Sequence, residues 1–254
     1  MKKKFLSAIV LAALTFVSCK KDKAVTVTPD PGTSVKLLTK LTKKENNVTT
    51  IYNFFYDTDK RLTSYKSTDN KTGVTFTYDG NSNLIKVEET EDDFKNIYTY
   101  TYNNNIPVAA DFKSWKKTAG EPDELIEDDH LVYTVANNQV VKIHLAFNLS
   151  QDAADFDLTY NNGNLSKITG SNTSYTASFG YGNKKPVFPV VSKYILDQAG
   201  FSLQFAAKND LVSIAFDFPG SEYDKTIINQ YTYDANGYVL TSNDGTEQAT
   251  YEYQ

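Results

Sequence analysis

The stretch Tyr231-Thr232-Tyr233-Asp234-Ala235-Asn236-Gly237-Tyr238-Val239-Leu240 decides the fold. Two tyrosines alternate with a threonine, an Asp-Ala-Asn-Gly turn follows, and an apolar run leads away. Side chains alternate faces along a strand, and Asn-Gly supplies the positive φ that tight hairpin turns need. The segment therefore reads as a β-hairpin with aromatics on one face.

Comparable units recur along the chain. Tyr52–Asp57 turns into Leu62–Tyr65, Phe76–Asp79 into Leu84–Val87, Tyr98–Asn103 into Ile106, and Phe156–Asn161 into Leu165–Ile168. Asp57, Asp79 and Asn103 lie about 22–24 residues apart, a spacing that fits two strands and two turns. Weaker copies run through Leu131–Val135 into Val140–Ile143 and through Phe201–Phe205, read as a strand, into Leu211–Ile214. Ala249–Tyr253 reads as a last strand. The expectation is an all-β chain of repeated antiparallel hairpins forming one large curled meander sheet or barrel-like domain. Closure stays open; Tyr251–Tyr253 is placed to pair back onto Val35–Leu41.

Two stretches break the pattern. Residues 106–130 contain Trp115 among Lys113, Lys116 and Lys117, and Lys184-Lys185-Pro186 to Pro189 interrupts a strand because proline has no ladder donor. Each is expected as a long hairpin protruding from the sheet.

At the other end, Met1–Ser18 has a basic start at Lys2, Lys3 and Lys4 and an apolar run from Phe5 to Val17. A bilayer span takes about 20 apolar residues, so this shorter run reads as a secretory signal. Cys19 is the only cysteine, which excludes an internal disulfide. The domain plan is thus 1–18 signal peptide, 19–34 lipidated Cys19 with a Pro- and Gly-punctuated tether, and 35–254 a single β domain. Formal net charge is −5, and residues 1–18 hold three lysines and no acid, so the body is more acidic still. An acidic body lacks the clustered cations that bind phosphate backbones, so nucleic acid is not an expected partner.

Phe16-Val17-Ser18-Cys19 resembles a bacterial lipobox, which implies a cell-envelope address, lipid-anchored to the outer membrane, with both its periplasmic and surface faces open. The Tyr-Asp units behind it, from Tyr56-Asp57 to Leu62, Tyr78-Asp79 to Leu84, Tyr160-Asn161 to Leu165 and Tyr233-Asp234 to Val239, resemble a family of Bacteroidota-type lipoproteins described as a domain of unknown function with a porin-like fold. They are also similar to the tyrosine-aspartate repeats of bacterial wall-associated and toxin-shell proteins, which use many more copies. The resemblance implies a barrel-like meander and supplies no catalytic residues.

Chemistry is sparse. Only His130 and His144 are present, and His144 sits opposite in parity to Ile143 and Leu145, as a solvent-facing strand residue would. No nucleophile elbow, phosphate cradle, dinucleotide fingerprint or zinc spacing occurs, so no catalytic residue, cofactor or metal is assigned. Glu121–His130 reads as a solvated acidic hairpin, because the ordered spacing and glycine of a calcium loop are missing. The aromatics read first as core, with Tyr98, Tyr100, Tyr102, Trp115, Tyr231 and Tyr233 the candidate ligand-binding residues if they form an exposed stacking row. The expected function is a non-catalytic, lipid-anchored binding or scaffolding module for a glycan or an envelope protein. The alternatives are a carrier of apolar molecules in a barrel interior and a carboxylate-based glycan-active enzyme.

Overall fold

A computed structural model describes residues 35–91, 93–171, 175–198, 201–220 and 224–254. The stretches read as signal peptide, 1–18, and as lipidated Cys19 with its tether, 19–34, lie outside the described residues. Lys36–Gln254 is one compact unit. Its strands are β1 (Leu38–Glu45), β2 (Val48–Tyr56), β3 (Leu62–Ser67), β4 (Gly73–Tyr78), β5 (Leu84–Glu91), β6 (Phe94–Asn103), β7 (Ile106–Lys116), β8 (Glu124–Ala136) and β9 (Gln139–Phe147). They continue as β10 (Asp152–Asn161), β11 (Asn164–Gly170), β12 (Thr176–Tyr181), β13 (Leu211–Asp217), β14 (Lys225–Ile228), β15 (Gln230–Tyr233), β16 (Val239–Asn243) and β17 (Glu247–Tyr253).

Consecutive strands pair antiparallel from β1 to β14 and again from β15 to β17. Between them Asn229 divides one continuous run: β14 pairs with β13 and β15 with β16, so the ladder changes partner there. The sheet curls shut where β17 pairs with β1, placing Tyr251 opposite Leu41 and Tyr253 opposite Leu38. Two more backbone bonds join Leu37 and Gln254, so the anticipated return onto the first strand is observed. This pairing covers the edges of β1 and β17 that would otherwise invite pairing with another chain, and leaves the sheet nearly closed, with β14 and β15 each paired on one side.

The Tyr-Asp turns show why the chain folds this way. Asp57, Asp79 and Asp234 each accept two backbone N–H groups through Oδ1: Asp59 and Arg61, Asn81 and Asn83, Asn236 and Tyr238, at 2.8–3.0 Å. The residue three beyond each Asp takes positive φ, +62° at Lys60, +64° at Ser82 and +77° at Gly237. Where Asn replaces Asp the turn shortens to two residues, both at positive φ, as at Asn104-Asn105 and Asn162-Gly163; type I′ hairpins require this.

A register shift falls immediately before Tyr56, Tyr78, Tyr102, Tyr160 and Tyr233. Such bulges bend and twist a strand, here all at the same end of the barrel. Four of the displaced tyrosines reach back to the start of the preceding strand. The hydroxyls of Tyr56, Tyr78, Tyr102 and Tyr160 donate to the carbonyls of Leu38, Leu62, Leu84 and Val140 at 2.8–2.9 Å. Tyr231, two residues before its turn, donates likewise to Leu211 at 2.8 Å.

The two irregular stretches behave differently from expectation. Residues 106–130 are a long hairpin built into the wall, with β7 paired to β6 and β8 as far as Lys116. Residues 182–198 and 201–210 do not protrude. They leave from β12 and fold inward as a plug, burying Val191, Tyr194, Ile195, Leu196, Leu203 and Phe205. The segment read as a strand from Phe201 is instead the short helix α1 (Phe201–Gln204) inside this plug. A ring of this many strands leaves a lumen wider than its own inward side chains can fill, and the plug supplies the missing apolar volume. Phe205, 1% exposed, packs its ring 5.2 Å from Phe76, 5.3 Å from Phe188 and 6.1 Å from Tyr65.

Leu196, Asp197 and Ser202 of the plug find polar partners inside, whereas Gln198 Oε1 is buried without one among the described residues. The Ser202 hydroxyl accepts the Leu196 N–H at 2.9 Å, Asp197 accepts the Ser202 N–H at 2.6 Å, and the Tyr133 hydroxyl on the wall donates to the Leu196 carbonyl at 2.7 Å. At the plug root Asp210, 1% exposed, accepts the Lys184 N–H at 2.7 Å and the Tyr233 hydroxyl at 2.6 Å. A side chain at Gly182 would put its Cβ 2.2 Å from the Asp210 carboxylate, so that close approach requires glycine.

The outer wall is polar. Thr75, Thr77, Thr99, Thr101, Thr159, Thr232 and Thr250 are exposed between inward aromatics and aliphatics. Cross-strand pairs join Lys40 to Glu252 at 2.7 Å, Lys113 to Asp128 at 3.2 Å and Lys142 to Asp157 at 3.3 Å. His130 and His144 also face outward, each through Nδ1 to an aspartate, Asp111 at 2.8 Å and Asp155 at 2.9 Å. Exposed apolar residues such as Phe55, Val132 and Ile228 are scattered through this surface. A barrel crossing a bilayer needs a continuous apolar band about 25 Å tall, whereas the described outer positions named above are mostly threonines, ion pairs and histidines.

Candidate functional site

The candidate aromatics do not form one site. Tyr98, Tyr100 and Tyr102 lie on the inner face of β6, with Tyr98 stacked on Tyr100 at 6.0 Å and against Phe112 at 4.4 Å. Tyr100 is 4% exposed, and burial holds its phenol well above the ordinary tyrosine range. Tyr231 and Tyr233 line the inner face of β15, their rings 6.1 Å apart. Trp115 is on the outer surface, in a depression shared with Ile97, Thr99, Asp111, Lys113, Asp128 and Asn148. The tyrosines therefore face the lumen, and no exposed row of them runs along the barrel. Of the six residues, only Tyr231 borders the principal cavity.

That cavity, about 640 Å³, lies between the plug and the wall. Its deep part is apolar, lined by Leu41, Phe179, Val187, Phe188, Ile214 and Phe216. Toward the end of the barrel away from the Tyr-Asp turns it becomes polar, with Lys43, Thr72, Glu89, Glu91 and Glu247. Pockets of about 300–1,000 Å³ with mostly apolar walls and a few convergent polar groups are the usual seats of small ligands.

Charges at the polar end are unevenly matched. Lys43 Nζ and Glu247 Oε2 are 2.5 Å apart and neutralise each other. Glu89 instead accepts a neutral bond from Asn96 Nδ2 at 3.1 Å, and Asn96 in turn accepts the Ser114 hydroxyl at 2.7 Å. Glu89, Asn96, Ser114 and Glu127 are register partners on β5, β6, β7 and β8, so they form one polar rung across four strands. Burial raises the Glu89 carboxyl above the usual range, with Glu91 and the plug residue Asp197 adding to it.

One rung deeper, Asp129 faces inward beside Phe112 and is 3% exposed. This corrects the reading of 121–130 as a wholly solvated acidic hairpin. Burial, then the charge and hydrogen bond of Glu127, push the Asp129 carboxyl up to about 7. The signal was present in alternation: Asp129 shares parity with Leu131 and Tyr133, as Glu89 does with Val87, and these apolar residues mark the inner face. Among the described residues, no group of three or more His, Cys, Asp or Glu side chains is arranged to hold a metal.

With this geometry the chain is an all-β protein built on one nearly closed, barrel-like antiparallel sheet. It is similar to a porin-like protein from Bacteroides vulgatus ATCC 8482, with TM-score 0.55, 12% identity, and coverage of 87% of this chain and 99% of that one. It is also similar to a porin-like protein from Bacteroides uniformis ATCC 8492, with TM-score 0.51, 14% identity, and coverage of 85% and 98%. At these identities the likeness is one of fold. No family model matches the chain, and no curated protein matches it.

Proposed function

We propose that this chain is a non-catalytic binding module of the cell envelope whose barrel interior holds an amphipathic small molecule. The cavity between plug and wall carries this reading, because it joins an apolar depth to a polar mouth. The polar outer wall supports a barrel that stands in water and is tethered by a lipid on Cys19. The non-catalytic reading draws on the histidines, which are outward and paired with aspartates, away from the cavity.

A thermal-shift screen of the purified protein against fatty acids, lysolipids and oligosaccharides tests the proposal. A ligand at 100 times its Kd stabilises by about 2.7 kcal/mol, which moves the melting temperature visibly. Ile214→Trp, which fills the deep end, is expected to abolish the shift. A shift that survives in this variant sinks the interior site.

A glycan reading rests on Trp115. Its ring lines an outer depression with Asp111, Lys113, Asp128 and Asn148, groups that can bond sugar hydroxyls around an aromatic platform. An oligosaccharide shift lost in Trp115→Ala and kept in Ile214→Trp supports it.

A further inference from the structure

We infer that the ligand of the cavity carries a positively charged organic head, such as a quaternary or primary ammonium, on an apolar tail. The inference rests on the interior site proposed above and adds the charge of its occupant.

Four groups at the polar end carry the argument. Tyr52 and Tyr65 both line the cavity and meet edge to face, with ring centroids 6.0 Å apart and planes at 73°. Glu89 lies close by on the same inner face, because β3 sets Tyr65 opposite Val74 and β5 sets Val74 opposite Glu89. Glu91 continues that face one step nearer the mouth. Tyr65 is itself stacked on Phe54 and Phe205, so Tyr52 is the ring that meets the head group. Aromatic faces attract cations through their quadrupole, most strongly when the cation is desolvated, and the Glu89 carboxylate, across Val74 from Tyr65, completes an ammonium seat.

Charge balance points the same way. Among the described residues the only lysine or arginine lining the cavity, Lys43, is bound to Glu247. Among the described residues no lysine or arginine pairs with Glu89 or Glu91. With the Lys43–Glu247 pair cancelled, two carboxylates remain on the lining, and the Asp197 carboxylate of the plug adds to the field at Glu89. An anionic head would meet repulsion here. A neutral head would leave Glu89, already burdened by burial, without a counter-charge. The apolar depth formed by Phe188, Leu203, Ile214 and Phe216 takes the tail.

Three amphiphiles with the same tail separate the possibilities: decyltrimethylammonium, decyl sulfate and decyl maltoside, each below its micelle concentration, titrated calorimetrically into the purified protein. Decyltrimethylammonium is expected to bind about tenfold or more tighter than the sulfate, a preference that shrinks with added salt. The double variant Glu89→Gln, Glu91→Gln is expected to lose that preference while binding the maltoside unchanged, and its melting curve checks that it folds. Equal binding of all three, tighter sulfate binding, or a preference that survives in the double variant overturns the charge assignment and leaves the interior site standing. Failure of all three to bind overturns the interior site as well.

Discussion

A tyrosine and an aspartate divide the labour at each Tyr-Asp turn. The aspartate is local: its carboxylate caps backbone donors two and four residues on, and hydrogen bonds from Asn83 hold the Asp79 carboxyl below the usual carboxylate range. The tyrosine is non-local, tying its strand to a carbonyl at the start of the preceding strand. Tyr102→Phe removes one such bond and is expected to cost about 1 kcal/mol in denaturant unfolding, with the freed Leu84 carbonyl setting the upper end. Asp129 acts in the opposite sense. Its folded carboxyl titrates near 7, above an unfolded value of about 4, so its destabilising charge is absent below pH 4 and fully present above pH 7. Stability is therefore expected to fall from pH 5 to pH 8, and Asp129→Asn to flatten that slope and raise the melting temperature at pH 8. Below pH 4 the lowered carboxyls of Asp57, Asp79 and Asp234 protonate and their contribution is lost in turn. These turns were legible in the sequence because the aspartate bonds span four residues. The tyrosine partners were not, because they lie 16–20 residues away.

The plug is the element on which the interior depends. Val187 to Leu196 is rich in apolar side chains yet has neither strand nor helix period, and Pro186 and Pro189 bar it from a ladder. Reading it as a protruding hairpin would have left those side chains in water. Folded inward, they supply the packing that the wall lacks. Phe205→Ala opens a void against Phe76, Phe188 and Tyr65, and is expected to lower stability by about 3–5 kcal/mol in chemical denaturation. A loss below 1 kcal/mol would mean that the plug is a loosely held insert. Asp210→Asn weakens both bonds at the plug root, and hydrogen exchange is expected to rise first at residues 184 and 210.

At the scale of the whole molecule, closure turns a meander into a container. β17 holds β1 on one side and β16 on the other, so removing residues 247–254 exposes two long edges at once. The expected outcome is loss of a single cooperative melting transition together with self-association in size-exclusion chromatography. The polar outer wall leads to a different expectation: the barrel unit stays dispersed without detergent, and a detergent requirement in the same chromatography would contradict it. Scattered ion pairs such as Lys142–Asp157 are exposed and contribute little stability, about 0–1 kcal/mol each, but they keep the wall compatible with water.

Alternation, turn chemistry and spacing are local properties, and from them the sequence by itself determined an all-β antiparallel meander, its main hairpins and the aromatic identity of its inner face. Side-chain parity also held the inward placement of Glu89 and Asp129, but the density of acids around them read as a solvated hairpin and turn, and the burial of Asp129 emerged only in the structure. The tertiary structure alone decided that β17 closes on β1, that residues 182–198 and 201–210 turn inward, and that Trp115 and the tyrosines lie on opposite sides of one wall. Those outcomes depend on the curvature accumulated over all the strands and on the lumen that the closed ring leaves to be filled. The cavity exists only in the space between that ring and its plug, so no single stretch of the chain records it.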